Sequence, residues 1–488
     1  MKNILRRLIL FLIIFNSYIS SSQSVQIVKD IRAEPNGSHP SNLTVYNDKL
    51  YFAAKSEEHR NELWVSDGTL LGTNLVKDIY TNEGYSNPNF LTVYMDKLYF
   101  SADNGTEGVE LWESDGTSIG TKLVKDINSG YGDSHPSNLT VYKNKLYFRA
   151  FDDVNGAELW ESDGTLSGTK LFEDINIGAD DSFPSLLTVF NDKLYFRAWD
   201  EIHGIELWVS DGTTLGTKLV KDINNGVSVS SYPKYLTVFN DKLYFTAYDE
   251  TNEFGLWESD GTEQGTKLVK GSFSPTNLIV FNDKLYFNLD DDIHGEELWE
   301  SDGTLSGTKL FKDINIGANG SNPENFVVFN NKLYFAAYQP ETGLELWESN
   351  GTPSGTKLVL DIHNGIDNSY PEYLTVYKDK LYFQAYEFES GFELYVLTDD
   401  SLGLNEDNTL LNKLTLHPNP ASNSVKIDLH THEIASLKLF NVTGKLVLKN
   451  DVYVSNQLLD ISNLNNGLYF IKIHLNNQTK FLKLLKTK

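Results

Sequence analysis

The chain repeats itself, and the period constrains the fold more than any other feature. The tyrosine of a KLYF element falls at Tyr51, Tyr99, Tyr147, Tyr195, Tyr244, Tyr286, Tyr334 and Tyr382, at intervals of 48, 48, 48, 49, 42, 48 and 48 residues. The tryptophan of an ELW element keeps step at Trp64, Trp112, Trp160, Trp208, Trp257, Trp299 and Trp347, with Tyr395 in the eighth place. The longest copy, ELWESDGTLSGTKLFEDI at Glu158 to Ile175, returns at Glu297 to Ile314 with Lys312 for Glu173. A period this regular in a chain of 488 residues calls for a unit that buries itself against copies of itself.

Each unit reads as four short strands: LTVYN, KLYFxA, ELWxS and GTKLVKDI. Alternation with period two, a high Tyr and Phe content and Asn, Asp or Gly at the ends favour strand over helix. Four strands in about 48 residues match one blade of a propeller, whereas one coil of a β-helix needs half that length. The eighth unit has no KLVKDI of its own, but a copy, QIVKDI at Gln26 to Ile31, precedes the first LTVYN. The expected fold class is therefore all-β: an eight-bladed β-propeller over residues 24–397, closed by the N-terminal strand. Leu146 and Phe148 should face one neighbouring blade and Tyr147 the other, because a blade is covered on both flat sides. SDGTxxGT should turn the chain between strands three and four, and Asn-Asp-Lys between strands one and two.

Those two turns share one face of the disc, and they are monotonous. The loops from strand two to strand three and from blade to blade share the other face, and there the units differ. The candidate ligand-binding residues are Asp152, Asp153, Trp199, Asp200, His203, Asp249 and His294. Loop aromatics such as Tyr131, Phe183, Tyr232 and Tyr370 are able to stack on sugar rings, or to pack against the prolines that follow some of them. Asp290, Asp291 and Asp292 are the candidate metal residues and Ca²⁺ the candidate ion, since carboxylates in hairpins are its usual ligands; a solvated acidic turn is the plainer reading. The propeller region has four arginines, Arg32, Arg60, Arg149 and Arg197, too few for an obvious substrate-carboxylate cluster. No nucleophile elbow, HExxH, Cys nucleophile or phosphate-cradling loop is present. A glycoside-active enzyme using two carboxylates stays open as the alternative to a binding module, beside a purely structural surface component.

The ends differ from the middle. Lys2, Arg6 and Arg7 precede an apolar run from Leu8 to Phe15, the order of a secretory signal, with residues 1–22 expected to be removed. There is no cysteine, hence no disulfide and no Cys-linked lipid anchor. The last 86 residues carry ten Lys against six acids, leaving 28 basic and 61 acidic residues in the stretch between signal and tail. So acidic a surface repels nucleic acid and anionic lipid.

After an expected linker at residues 398–412, residues 413–488 read as a small C-terminal β-sandwich. The ELWESDGTLSGT units resemble the ELWxxDGT repeat of exported bacterial proteins, which implies an extracellular protein and no particular activity. The tail resembles the C-terminal sorting domain of the type IX secretion system. The resemblance rests on Pro418, Asn419 and Pro420, on Gly444 and Lys445 of the VTGK turn, on Gly467, Leu468 and Tyr469, and on Lys480 and Lys483. It implies type IX machinery as a partner, passage across both membranes, and release or attachment at the cell surface. A glycan or surface protein is the expected ligand there.

Overall fold

The computed structural model describes residues 23–33, 36–81, 84–399, 415–428, 434–441, 445–475 and 478–487. The expected signal peptide, most of the linker and Gly444 lie outside them. The chain divides into two compact units, Met1–Asp400 and Ser401–Lys488, and each is described by itself.

The first unit is built from eight four-stranded antiparallel sheets. Blade one comprises Ser41–Tyr46, Lys49–Ala54, Glu62–Ser66 and Asn74–Lys77 in that order. The inner strands of blades three, four and five begin at Ser137, Ser185 and Lys234, and those of seven and eight at Glu324 and Glu372. Blade eight takes its outer strand from the other end of the chain. Gln23–Lys29 pairs with Gly391–Asp399, with Gln23 opposite Asp399 and Ile27 opposite Tyr395. The expected closure is thus the one observed.

Inner strands touch in succession round the ring, and Ser41–Tyr46 lies against both Asn89–Tyr94 and Glu372–Tyr377. Their threonines stitch the contact. Thr44 Oγ1 donates to the Leu91 carbonyl at 3.3 Å, Thr92 to Leu139 at 3.3 Å, and Thr375 to Leu43 across the closure at 3.3 Å.

Alternation along the second strand sends side chains into the joints on both sides. Leu146, Phe148 and Trp160 pack on Tyr94, Tyr99 and Leu111 of blade two, while Tyr147 and Leu159 pack on Leu194 and Phe196 of blade four. Eight such clusters fill the eight joints. Burying each large side chain stabilises by about 1.5–3 kcal/mol, so the joints hold the ring together.

The SDGT turn does two jobs. Asp67 Oδ1 accepts from Thr69 N at 2.9 Å and from Thr69 Oγ1 at 2.6 Å, and Ser66 Oγ bonds Thr73 Oγ1 at 2.7 Å. The glycine has a φ of +85° to +90° in every copy. It also makes room for the preceding blade, since a Cβ on Gly116 would stand 2.3 Å from the Tyr51 hydroxyl. Lysines of the outer strand then bridge forward, Lys29 Nζ to the Thr73 carbonyl at 2.7 Å and Lys77 to Thr121 at 2.6 Å.

The second unit stacks two sheets. One holds Thr415–His417, Ser424–Asp428 and Leu458–Asp460; the other holds Ile434–Asn441, Leu446–Val454, Gly467–Leu475 and Gln478–Lys486. Val425, Ile427, Leu439, Ile471, Ile473 and Leu484 form its core. Among the described residues no helix is long and apolar enough to cross a membrane.

Candidate functional site

The acidic residues of the strand-two to strand-three hairpins are turned to their own backbone. Asp152 Oδ1 accepts from Val154 N at 2.8 Å and Asn155 N at 2.7 Å. Asp249 does the same for Thr251 at 2.8 Å and Asn252 at 2.7 Å. Asp200 and His203 bond each other at 2.8 Å, and Asp291 and His294 repeat that contact at 2.8 Å. Burial opposes the shift, yet the bonds from His294 hold the Asp291 carboxyl below its ordinary value, and Asp291 in turn raises the imidazole. Asp290 accepts from Asp292 N at 2.9 Å, while Asp153 and Asp292 are exposed. Trp199 is half-buried beside Ile205 in blade four. The residues of different blades stay in separate hairpins, in which Asp152, Asp200, Asp249, Asp290 and Asp291 cap their own turns. Among the described residues no group of three or more His, Asp or Glu side chains is arranged to hold a metal ion.

A different set carries the variable face. Seven of the eight blade-to-blade loops contain Ser-x-Pro, beginning at Ser38, Ser86, Ser134, Ser182, Ser231, Ser321 and Ser369. Each serine is buried against the glutamate of an ELW or ELY element. Ser182 Oγ bonds Glu158 Oε2 at 2.6 Å, Ser182 N reaches Oε1 at 2.9 Å, and Ile175 N reaches Oε2 at 2.9 Å. Burial is the first cause of a raised carboxyl value, with the hydrogen bonds opposing it. Glu110, Glu158, Glu206, Glu345 and Glu393 are pushed up to about 7.

The residue after each serine is held in left-handed backbone, from Asn87 at φ 46° to His39 and Tyr232 at 49°. Its neighbours fix it from two blades. Phe183 N donates to the Ala157 carbonyl at 3.0 Å, and the Ser182 carbonyl accepts from Trp199 N at 2.8 Å. The side chains so presented are His39, Asn87, His135, Phe183, Tyr232, Asn322 and Tyr370. Phe183 is 52% exposed and Tyr232 44%. Over blade three, the loops bearing His135 and Phe183 flank a pocket of about 410 Å³ that contains Arg149, Phe151 and Asp181. A second pocket, of about 500 Å³, lies over blade one, where Arg60 stacks on Tyr85 with 4.9 Å from its carbon to the ring centre.

Sequence reasoning named Phe183, Tyr232 and Tyr370 as loop aromatics but missed the Ser-x-Pro frame that unites them. The signal was available as a second 48-residue series, obscured because only Ser and Pro recur. Blade five shows that the frame is one device. It has Gly255 where the glutamate should be, the 42-residue interval, and no Ser-x-Pro before blade six.

In the second unit Asn419 donates from Nδ2 to the Lys483 carbonyl at 2.8 Å and accepts from Leu485 N at 2.9 Å. Lys445 N donates to Asn441 Oδ1 at 2.9 Å, and the buried Tyr469 reaches the Asn465 carbonyl at 2.8 Å. Pro418, Pro420, Leu468 and Lys483 are exposed, Gly467 opens the Gly467–Leu475 strand, and Lys480 pairs with Ile473.

Residues 415–487 match the family described as secretion system C-terminal sorting domain. The protein is thus a propeller exported by the type IX route to the cell surface or beyond. None of the curated proteins compared with it matches the sequence. Among solved structures the chain is similar to the computationally designed Ika8 protein, at 14% identity and a TM-score of 0.46, over 76% of this chain and 99% of that one. It is similar to PorZ of Porphyromonas gingivalis, a surface component of the type IX system, at 12% identity and a TM-score of 0.32, over 92% and 75%. The propeller domain of the Trilobed protease of Pyrococcus furiosus gives 12% identity and a TM-score of 0.40, over 66% and 98%.

Proposed function

We propose that the propeller is an extracellular binding module whose variable face takes a glycan. The observation that carries this reading is the Ser-x-Pro series. Non-glycine residues in left-handed backbone cost about 1–2 kcal/mol each; the strand-one to strand-two turns bear it too, but mostly with the Asn and Asp that tolerate it, as at Asn191 and Asp192, whereas the Ser-x-Pro loops also place His, Phe and Tyr there. Seven loops bear that cost while varying the presented residue, and three of the seven are aromatic rings of the kind that stack on pyranose faces. Rigid loops on a closed scaffold lose little entropy on binding. The C-terminal domain supplies delivery, and Pro418 to Pro420, Lys445, Gly467 to Tyr469 and the Lys480 to Lys483 strand are the segment the type IX machinery would read.

The test is retention of the exported protein on immobilised polysaccharides, with product release followed in parallel. Retention without released sugar, weakened by Phe183→Ala and Tyr232→Ala, is the expected result. Released sugar would make the chain an enzyme, and absence of retention on every polysaccharide would overturn the reading.

A further inference from the structure

Arginine is scarce in this acidic propeller, and the fold brings two of the four together. Arg149 of blade three and Arg197 of blade four occupy the same place in adjacent second strands, opposite Ser137 and Ser185 of the inner strands. Both are half-buried. Among the described residues neither makes an ion pair. Arg197 donates from Nε to Ser185 Oγ at 2.9 Å, and Arg149 lies over the Phe183 ring, 6.0 Å from its centre. Burial first, and the charge of Arg197 second, hold the Arg149 guanidinium below its usual value, with Asp181 working the other way. In a region with 61 acids, two neighbouring guanidiniums with no carboxylate in ion-pair contact, Asp181 acting on Arg149 only from further off, are costly unless a ligand supplies one.

The rest of the mouth is polarised to match. The position that is Ser137 in blade three is Lys234 in blade five, Glu324 in blade seven and Glu372 in blade eight. In a ring of eight, blade three faces blade seven and blade four faces blade eight, so the two arginines stand across the mouth from two glutamates. Those glutamates are close to each other: burial first, then the charge of Glu324, raises the Glu372 carboxyl. An anion entering the mouth is therefore directed to one side of it.

We propose that Arg149, in the pocket over blade three, and the neighbouring Arg197, outside its lining, bind the carboxylate of a uronic acid residue in an acidic polysaccharide. A guanidinium fork matches a planar carboxylate in two parallel hydrogen bonds. Phe183 and His135 offer ring faces to the pyranose. Asp133 and Asp181 each spend one oxygen on a backbone N–H, from Val109 at 2.7 Å and Ala157 at 2.6 Å; the other oxygen of Asp133 lies 3.5 Å from His135 Nε2, and Asp181 keeps acceptor capacity for sugar hydroxyls. A free phosphate or a densely sulfated chain suits the site less, because the surrounding acids repel high charge density.

The inference rests on the glycan reading, and one experiment separates the two. The intact protein is titrated with polygalacturonate, with the same polymer after reduction of its carboxyls, with dextran and with dextran sulfate. Binding to polygalacturonate alone is expected, weakened about tenfold or more in Arg149→Ala/Arg197→Ala. Arg149→Lys/Arg197→Lys should recover only part, since it keeps charge without the fork. Lys193→Ala/Lys218→Ala, an equal loss of charge at the opposite face, should change nothing, and thermal unfolding establishes that each variant folds. Undiminished binding by the Arg149→Ala/Arg197→Ala variant, or equal binding of dextran sulfate, overturns the carboxylate site. Binding of dextran or of the reduced polymer as strong as that of polygalacturonate overturns it while leaving the glycan reading in place. Silence on all four overturns both.

Discussion

Glu173 and Lys312, the single difference between the two eighteen-residue copies, mark a break in a repeated contact. Lys29, Lys77, Lys125, Lys221 and Lys270 at that position reach a threonine carbonyl in the next blade and lie over its tryptophan, as Lys125 does to Thr169 at 2.7 Å and to Trp160 at 5.7 Å; among the described residues Lys312 makes neither contact. Glu173 cannot donate, its buried Oε2 has no partner, and Trp208 beyond it is less buried than its counterparts. Glu173→Lys should restore the bridge to Thr217, stabilise the fold by about 1 kcal/mol and raise the unfolding midpoint by about 1–2 °C. A lower midpoint in calorimetry would count against this account of the joint. The sequence showed where the substitution lay but not its consequence, because the partner is 44 residues away in a neighbouring blade. Separation along the chain also hid the arginine pair: Arg149 and Arg197 are one period apart, and four arginines in the propeller look like scarcity until the ring places two together.

The Ser-x-Pro loop and its buried glutamate form one element. Removing Glu158 leaves the backbone N–H of Ile175 without its acceptor, at about 1–3 kcal/mol, and leaves the Ser182 N–H only its longer bond to the Ala157 carbonyl at 3.2 Å. Glu158→Ala should therefore lower stability by more than Glu158→Gln, which keeps one oxygen, and should release the loop that presents Phe183. Hydrogen exchange at Ser182 and Phe183, faster in the alanine variant and little changed in the glutamine one, would check it. The closing strand is the other decisive element. Deleting residues 23–29 exposes the edge of Gly391–Asp399, and open edges pair with other chains. Such a variant should unfold earlier and associate, which light scattering would register; a stable monomer would mean that the joints alone close the ring. Strands, turns and closure were legible because period-two patterning and turn residues are local. The role of the hairpin aspartates was not legible, because a carboxylate that caps its own turn and one that binds a ligand look alike in a sequence.

For the molecule as a whole, the buried glutamates set the response to pH. With folded values near 7 against an ordinary 4.5, Glu110, Glu158, Glu206, Glu345 and Glu393 bind protons in the folded chain that the unfolded chain has lost. Their stabilising contribution is complete below about 4.5 and is lost as pH rises through about 7. The SDGT aspartates oppose this at the acid end: Asp115 and Asp163 are held low by their threonines, and that stability is lost as pH falls through their folded values, below the ordinary 3.8. The unfolding midpoint should thus be higher at pH 5 than at pH 8 and fall again below about pH 4; a midpoint that rises steadily to pH 8 would contradict it. Two faces of one disc differ in kind, one built of near-identical turns and the other of varied side chains held in left-handed backbone, and the varied face is the one proposed to bind. The chain has no cysteine, so a single one can be introduced on either face and coupled to a bulky polymer. Tyr131→Cys lies on the varied face, where the residue is 86% exposed, and Leu215→Cys on the other, at 98%. Retention on polysaccharide should be abolished by polymer at 131 and unchanged by polymer at 215; the reverse result, or equal loss from both, would contradict the assignment of the working face.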